Sequence, residues 1–399
     1  MKKKKDYCKD CGGAQVNHRF TYIAIFLGKV VDPYFKFLNK LLPEDSLEWM
    51  GPGFVKVMSL LRLGKITKYP TDKNSYRTLV LWEEAKKRGI DMIEFHLLNI
   101  GGDIFISRYK GKDMRFFDVL PRPKNLEGPG TYWMDNKGEM KEHFKVAGIP
   151  IAHGAVTGNK NEALKIFHSL EKPVITKPNI GSRSRHTHTH LNDEETFLKG
   201  FENAKLLSPW VMIEEELEGF VYRGTLINKK LEGVLRREPA SVLGDGIHTI
   251  RELIENENKN PLRAGPLFHQ IEMSSDVDAE LKNWNRTYET IPDNGEMVTL
   301  GQKTSRAVGG GITDMTDMMH KDNIELLEQV ANVVNDPLIG VDFIMKDVSV
   351  SWREQKRCGI IECNSAPFID LHHYPLVGQP RNIAAKLWDI IYPESKNKN

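Results

Sequence analysis

Glu362 and Asn364 stand two residues apart in the run Cys358-Gly-Ile-Ile-Glu-Cys-Asn-Ser-Ala-Pro367. On a strand, residues two apart point to the same side. A carboxylate and an amide oxygen would then share one face, with Ile361 and Cys363 on the other. Oxygen donors of that kind suit a hard cation such as Mg2+. Asp342 is the one acid in a second apolar run, Ile339-Gly-Val-Asp-Phe-Ile-Met345. Asp342, Glu362 and Asn364 together could hold metal against nucleotide phosphates. The competing reading is that Glu362 and Asn364 only end a strand before the loop at Pro367.

Other residues suit anions. Lys177 ends the strand-like run Pro173-Val-Ile-Thr-Lys-Pro178, and Gly181-Ser-Arg-Ser-Arg-His186 follows it. Small and hydroxyl residues let backbone N–H groups approach an anion, and arginine adds charge. Lys137 and Lys141 are four apart, on one helix face; a solvated lysine pair is the plain alternative. Trp210-Val-Met-Ile-Glu-Glu-Glu-Leu217 runs from an apolar strand into three acids before a hairpin. That is a place for an adenine hinge, and a solvated rim is the alternative. His186, His188 and His190 alternate, so one strand would carry all three on one face. A polar face above a phosphate site is preferred there to a transition-metal site. Cys8-x-x-Cys11 has no second ligand pair at zinc-knuckle spacing, although His18 is near, and a zinc site is the lesser reading.

These side chains need elements to position them. Asp135 caps a helix to Ala147, with Gly148 past its end. Asn159 and Glu162 open a second helix, Asn192–Glu195 a third, and Asp322 with Glu325 cap a fourth that reaches Val334. Tyr222–Ile227 and Leu231–Arg237 form a hairpin around Asn228. Residues 265–300 read as an irregular, mobile insertion. Upstream, a helix over Thr78–Arg88, a strand over Met92–Leu98 and a hairpin of Ile104–Arg108 with Arg115–Leu120 make a small α/β unit. Pro121–Gly130 reads as a linker. Residues 20–64 hold two amphipathic helical stretches, for which packing on the main body is preferred to a membrane surface.

Bulk properties exclude several classes. A chain of 399 residues is long enough for two or three domains. Its 40% hydrophobic and 28% charged residues are those of a soluble globular protein. A net charge of +2 gives no nucleic-acid signal, and four cysteines make no disulfide framework. Lys2–Lys5 lead into Asp6-Tyr-Cys-Lys-Asp rather than an apolar run, so no secretory leader is read and cytoplasm is the expected compartment. Neither GxxxxGK[ST] nor a strand-following GxGxxG is present, so a nucleotide would need another device.

Several motifs in one order carry a resemblance. They are Arg237-Glu-Pro-Ala, Gly244-Asp-Gly-Ile-His-Thr-Ile-Arg-Glu-Leu253, Gly309-Gly with Asp314-x-x-Asp317, the Gly340-Val-Asp strand and Glu362-x-Asn-x-x-Pro367. Residues from about 134 to 392 resemble the ATP-grasp ligases, notably the ATP-grasp module of cyanophycin synthetases and the C-terminal ligase half of bifunctional glutathione synthetases. The resemblance implies a mixed α+β and α/β chain with an ATP-grasp fold, two α+β subdomains clasping ATP. It implies a helical N-terminal region over 1–74, a pre-ATP-grasp-like domain over 75–133 and an ATP-grasp domain over 134–395. That last domain divides into 134–220, with the covering loop, and 221–395, with the metal site. By the same resemblance Lys137 and Lys177 contact phosphates, and Gly181, Ser182 and Arg185 belong to a phosphate-covering loop. Glu214, Glu215 and Leu217 form the adenine hinge. Asp342, Glu362 and Asn364 hold two Mg2+ ions, a place Mn2+ could also take. Val221 stands where relatives carry an acid for the ribose, and Glu216 or Glu218 could replace it. Arg223, Arg237 and Arg306 are candidates to hold a substrate carboxylate or acyl-phosphate charge. The implied activity is ATP-dependent joining of a small-molecule carboxylate to an amine, an amino acid or peptide, by an oligomeric enzyme. The alternatives are an ATP-binding protein without turnover, docking to a partner or membrane, and a small-molecule kinase on the same fold.

Overall fold

A computed structural model describes residues 8–11, 15–28, 52–61, 63–70, 74–97, 104–117, 120–121, 132–181, 185–265, 267–301, 304 and 306–396. Ser182 and most of the proposed linker 121–130 lie outside them.

Helix α1 (residues 18–28) and α2 (Pro52–Leu60) precede a first antiparallel sheet. Its strands are β1 (Gly64–Thr67), β2 (Asp91–Leu97), β3 (Ile104–Tyr109) and β4 (Lys112–Phe117), in that spatial order, with α3 (Tyr76–Lys87) between β1 and β2 in the chain. Ser75 caps α3 by accepting the Thr78 N–H at 3.3 Å. Strand β3 is apolar on both faces because both are covered. Ile104 and Ile106 pack with Val55 of α2 and Phe95, whereas Phe105 and Tyr109 pack toward Leu81 and Ala85 of α3.

The second sheet carries Gly181 and Arg185, which flank the loop that the resemblance assigns to covering phosphate. Its elements are α4 (Lys137–Val146), β5 (Gly154–Thr157), α5 (Lys160–Ser169), β6 (Val174–Pro178), β7 (His188–Leu191), α6 (Glu194–Lys205) and β8 (Val211–Glu215). The strands are antiparallel in the order β5-β8-β6-β7. Phe167 of α5 and Phe197 of α6 stack at 4.4 Å over Val174, Val211 and Ile213. Asn159 caps α5 as its sequence predicts, and Asp193, the second residue of the predicted stretch Asn192–Glu195, caps α6. Asn136, not Asp135, caps α4: residues Tyr132–Asp135 form a tight turn, and the Asn136 side chain accepts from the Gly138 and Glu139 N–H groups. The three histidines do not share a strand face. His186 has φ 53 and lies outside β7, His190 has φ 58, and the β6–β7 register shifts between Val174 and Thr176. The bulge breaks the period of two.

The third sheet is built from β9 (Phe220–Ile227), β10 (Lys230–Glu238) and three later strands. Asn228 and Lys229, both at positive φ, turn β9 into β10. Next come β11 (Ser241–Leu243), α7 (Ile250–Glu257), α8 (Ser275–Asn283) and β12 (Met297–Thr299). The chain continues through β13 (Gly311–Asp314), α9 (Lys321–Val334), β14 (Leu338–Met345), β15 (Gly359–Asn364), α10 (Asp370–His373) and α11 (Ile383–Ile391). The main sheet runs β13-β10-β9-β14-β15, antiparallel throughout.

Two expectations need correction here. Residues 265–300 are not an irregular insertion over their whole length: β11 pairs with β12, and Ile250, Ile254, Ile271, Val277, Leu281 and Val298 form a small core. His320 rather than Asp322 or Glu325 caps α9, its ring nitrogen accepting the Asp322 N–H at 3.1 Å. Among the described residues no helix is long and apolar enough to cross a membrane.

Candidate active site

Charged side chains of the second and third sheets approach one another, with Lys137 and Lys177 close enough to Glu362 to act on its carboxyl. On β8, Val211 and Ile213 enter the α5–α6 core, so Glu214 points to the other side. Glu214 pairs in register with Ile175 of β6, which places Lys177 diagonally across from it. Lys177 Nζ lies 2.5 Å from Glu214 Oε1, and Lys141 of α4 ion-pairs with Oε2. Lys141 also donates to the Ala152 carbonyl at 2.7 Å. Burial opposes ionisation of Glu214, but the two ammonium groups outweigh it and hold the carboxyl down at about 2. Burial pulls the Lys141 ammonium below its ordinary value, with Glu214 opposing.

The hinge reading is therefore divided. Glu214 is committed to two lysines. The Glu215 carboxylate accepts the Glu171 N–H at 3.1 Å, and Leu217 is half-buried. The Leu217 N–H donates to no acceptor among the described residues. Neither acid offered as a substitute beside Val221 is uncommitted: Glu216 accepts the His190 N–H at 2.7 Å, and Glu218 pairs with Lys346 at 2.6 Å. Gly219 makes the bend into β9 at φ 122, where an added Cβ would stand 2.3 Å from the Met345 carbonyl.

Lys137 begins α4. Asn179, just past β6, fixes that helix start: its Oδ1 accepts the Gly138 N–H at 3.0 Å and its Nδ2 donates to Asn136 Oδ1 at 2.9 Å. Lys137 Nζ donates to the Gly181 carbonyl at 2.8 Å, at the start of the loop offered as a phosphate cover. Arg185, at the other end, is near enough for its charge to reach the Cys11 thiol.

The strand register brings the three oxygen-bearing side chains together. Asp342 sits opposite Glu362 on β15 and opposite Arg223 on β9, and Gly340 sits opposite Asn364. Arg223 grips Asp342 with two bonds of 2.6 Å, the bidentate geometry of guanidinium on carboxylate. Burial raises the Glu362 carboxyl above its ordinary value; Lys137, Arg223 and Lys177 draw it back, and Asp342 adds to the rise. Neither the Glu362 nor the Asn364 side chain has a hydrogen-bond or ion-pair partner among the described residues. A Cβ at Gly340 would lie 3.0 Å from Asn364 Oδ1, so glycine there gives the amide its room. These uncommitted oxygens fit a hard divalent cation, whereas Asp342 would have to share its carboxylate with Arg223.

The three proposed arginines gather beside these acids. Burial lowers the Arg237 guanidinium, and nearby Arg223 and Arg306 lower it further. Arg306 Nη2 lies 3.5 Å from Asp370 Oδ2. Arg306 Nη1 and Asp370 Oδ1 are buried without hydrogen-bond partners among the described residues. Arg77, from α3 of the first sheet, donates to the Ala366 carbonyl at 2.8 Å and lies 4.5 Å over the Phe368 ring. Arg223 approaches the same ring at 5.9 Å. Arg77, Lys141, Phe368 and Asp370 were not singled out as site residues from sequence. Lys141 carried a signal in its four-residue spacing from Lys137, but Arg77 and Asp370 carried none, since only the packing of distant segments joins them.

No family model matches the chain. It is 29% identical over 322 residues to the glutathione biosynthesis bifunctional protein of Clostridium perfringens, an alignment spanning 79% of this chain and 41% of that protein. It is 26% identical over 379 residues to the cyanophycin synthetase of Trichormus variabilis, spanning 89% and 41%. The chain thus spans about two-fifths of the length of these relatives. The crystal structure of a bifunctional glutathione synthetase from Pasteurella multocida superposes with a TM-score of 0.61 at 23% identity, over 80% of this chain and 43% of that one. The chain has the ATP-grasp fold and is a homologue of the bifunctional glutathione synthetases and the cyanophycin synthetases.

Proposed function

We propose that the protein is an ATP-dependent carboxylate–amine ligase. The observation that carries this reading is the approach of Lys137 of α4 and Lys177 of β6 to Glu362, which stands opposite Asp342 as Asp342 stands opposite Arg223. In this reading the carboxylate of one substrate attacks the γ-phosphorus of ATP, giving an acyl phosphate and ADP. An amine then attacks the acyl carbon and phosphate leaves. Mg2+, held by Glu362 and Asn364 with a share of Asp342, would neutralise charge on the phosphoryl oxygens. Lys137 and Lys177 bind phosphate from the opposite wall. The Leu217 N–H offers a donor to the base. Arg237 and Arg306 hold the carboxylate and the charge that builds as the acyl phosphate forms. The loop 181–185 excludes water from that reactive species. In this reading the site takes two Mg2+ ions, the substrates are a small-molecule carboxylate and an amino acid or peptide amine, and the enzyme assembles as a homo-oligomer.

The test is incubation of the purified protein with Mg-ATP and pairs drawn from amino acids and short peptides. Release of ADP and phosphate in step, dependent on both members of a pair, is expected. Glu362→Gln should lower turnover by at least about 100-fold while its unfolding transition stays cooperative. A fully active variant would contradict the metal assignment.

A further inference from the structure

Four side chains that the ligase reading leaves unused converge at the far end of the covering loop. Cys8 and Cys11 bracket the turn Lys9–Cys11, His18 opens α1, and His186 stands between the loop and β7. One potential ligand atom from each lies within 4.8 Å of all the others. His186 Nε2 is 3.5 Å from both sulfurs, and Cys11 Sγ is 3.1 Å from His18 Nε2. Tetrahedral Zn2+ binds thiolate at about 2.3 Å and imidazole at about 2.0–2.1 Å, which sets the sulfur–nitrogen separation at about 3.5 Å. Cys11 and His186 are only 4% and 1% exposed. The two imidazole rings meet at 89°, as ligands do when they approach one point from different directions.

The surroundings fix His186 in the form a metal needs. Its Nδ1 lies 2.9 Å from the Asn203 carbonyl, which can only accept, so Nδ1 carries the proton and Nε2 presents its lone pair to the thiols. The His186 N–H donates to the Asp10 carbonyl at 3.0 Å, and Asn203 Nδ2 donates to Asp10 Oδ2 at 2.7 Å. The cysteine turn is thereby docked on α6. The left-handed backbone at His186, φ 53, swings its ring out of the strand line and toward the sulfurs.

We propose that Cys8, Cys11, His18 and His186 bind one Zn2+ in a closed tetrahedral site that fastens the N-terminal segment to the end of the covering loop. Two thiolates and two neutral imidazoles leave the loaded site without net charge. Binding displaces the two thiol protons to solvent. Sulfur donors disfavour Mg2+ and Ca2+, and two cysteines with two histidines suit Zn2+. Four protein ligands leave no position for water, so the ion is structural. The site shares no residue with the cluster of Asp342, Glu362 and Asn364 and does not rest on the ligase reading.

The test is metal analysis of the full chain purified under reducing conditions, followed by Co2+ substitution. One equivalent of zinc per chain is expected, and the cobalt form should show thiolate-to-cobalt charge transfer with the strong visible bands of a tetrahedral site. Cys8→Ser should roughly halve the charge-transfer band, and Cys8→Ser with Cys11→Ser should abolish metal retention. His18→Ala should keep both thiolates and weaken affinity by at least roughly tenfold. Absence of tightly held metal in the reduced wild type would overturn the site, as would a cobalt spectrum without a thiolate band. Zinc retention by the double variant, or a Cys8–Cys11 disulfide that excludes metal, would do the same. The wild-type cobalt spectrum decides the matter even where the double variant fails to fold.

Discussion

Glu214 shows how one buried carboxylate is kept charged. It lies 1% exposed between Lys141 and Lys177, so removing the charge leaves two ammonium groups unneutralised. Glu214→Gln should cost about 3–5 kcal/mol of stability, read by urea unfolding; a loss below about 1 kcal/mol would contradict the pairing. Its pH signature has a definite sign. The folded carboxyl titrates at about 2 against an ordinary 4.5, so its contribution is complete above about 4.5 and is lost as pH falls toward 2. Wild-type stability should therefore decline through that window more steeply than that of Glu214→Gln. Strand alternation offered Glu362 and Asn364 because it is readable without partners, Asp342 stood out as the one acid in an apolar run, and Lys177 and Glu214 were offered by their places at strand ends and by the family resemblance. It did not offer the lysine–glutamate–lysine arrangement, since that depends on how α4 lies across β8. The histidine triplet misled for the complementary reason: alternation holds only while φ stays extended, and His186 and His190 leave that region.

At the scale of elements, register carries the site. The β14–β15 pairing sets Gly340 against Asn364 and Asp342 against Glu362. Gly340→Ala should push the Asn364 amide aside, costing about 1–3 kcal/mol of stability. It should lower Mg2+-dependent turnover on the order of 10- to 100-fold. Steady-state assays across Mg2+ concentrations check this; unchanged kinetics would show that Asn364 takes no part. The helices and strands around the candidate site were legible, because each has a capping residue or an apolar period. Cap positions slipped by one or two residues at Asn136 and His320, where a preceding turn or a histidine replaced the acid that composition favoured. The segment 265–300 was illegible because Ile271, Val277 and Leu281 share a core with Ile250 and Ile254 of α7 and Val298 of β12, partners that local pattern does not announce.

At the scale of the molecule, the first sheet and the C-terminal helix are one packed body. Leu81 and Phe105 share a core with Leu387 and Trp388 of α11, and the Trp388 indole donates to the Leu81 carbonyl at 3.0 Å. That packing brings Arg77 to Phe368 and the arginine cluster, a convergence no local pattern announces. Arg77→Ala removes the charged hydrogen bond that holds the Ala366 carbonyl and the contact with Phe368 beside the arginine cluster; acting through that positioning, it should raise KM for the carboxylate substrate about 10-fold and leave ATP affinity unchanged by calorimetry. Equal losses in both would place Arg77 in a purely structural role. The claim on which the account turns is activation of a carboxylate by phosphoryl transfer, and hydroxylamine reports on it without a natural amine. The protein, Mg-ATP, hydroxylamine and a panel of amino acids and short peptides should yield a hydroxamate in step with ADP, and none with Glu362→Gln. ADP accompanied by a stable phosphorylated hydroxyl product, or no nucleotide turnover with any carboxylate, would contradict it.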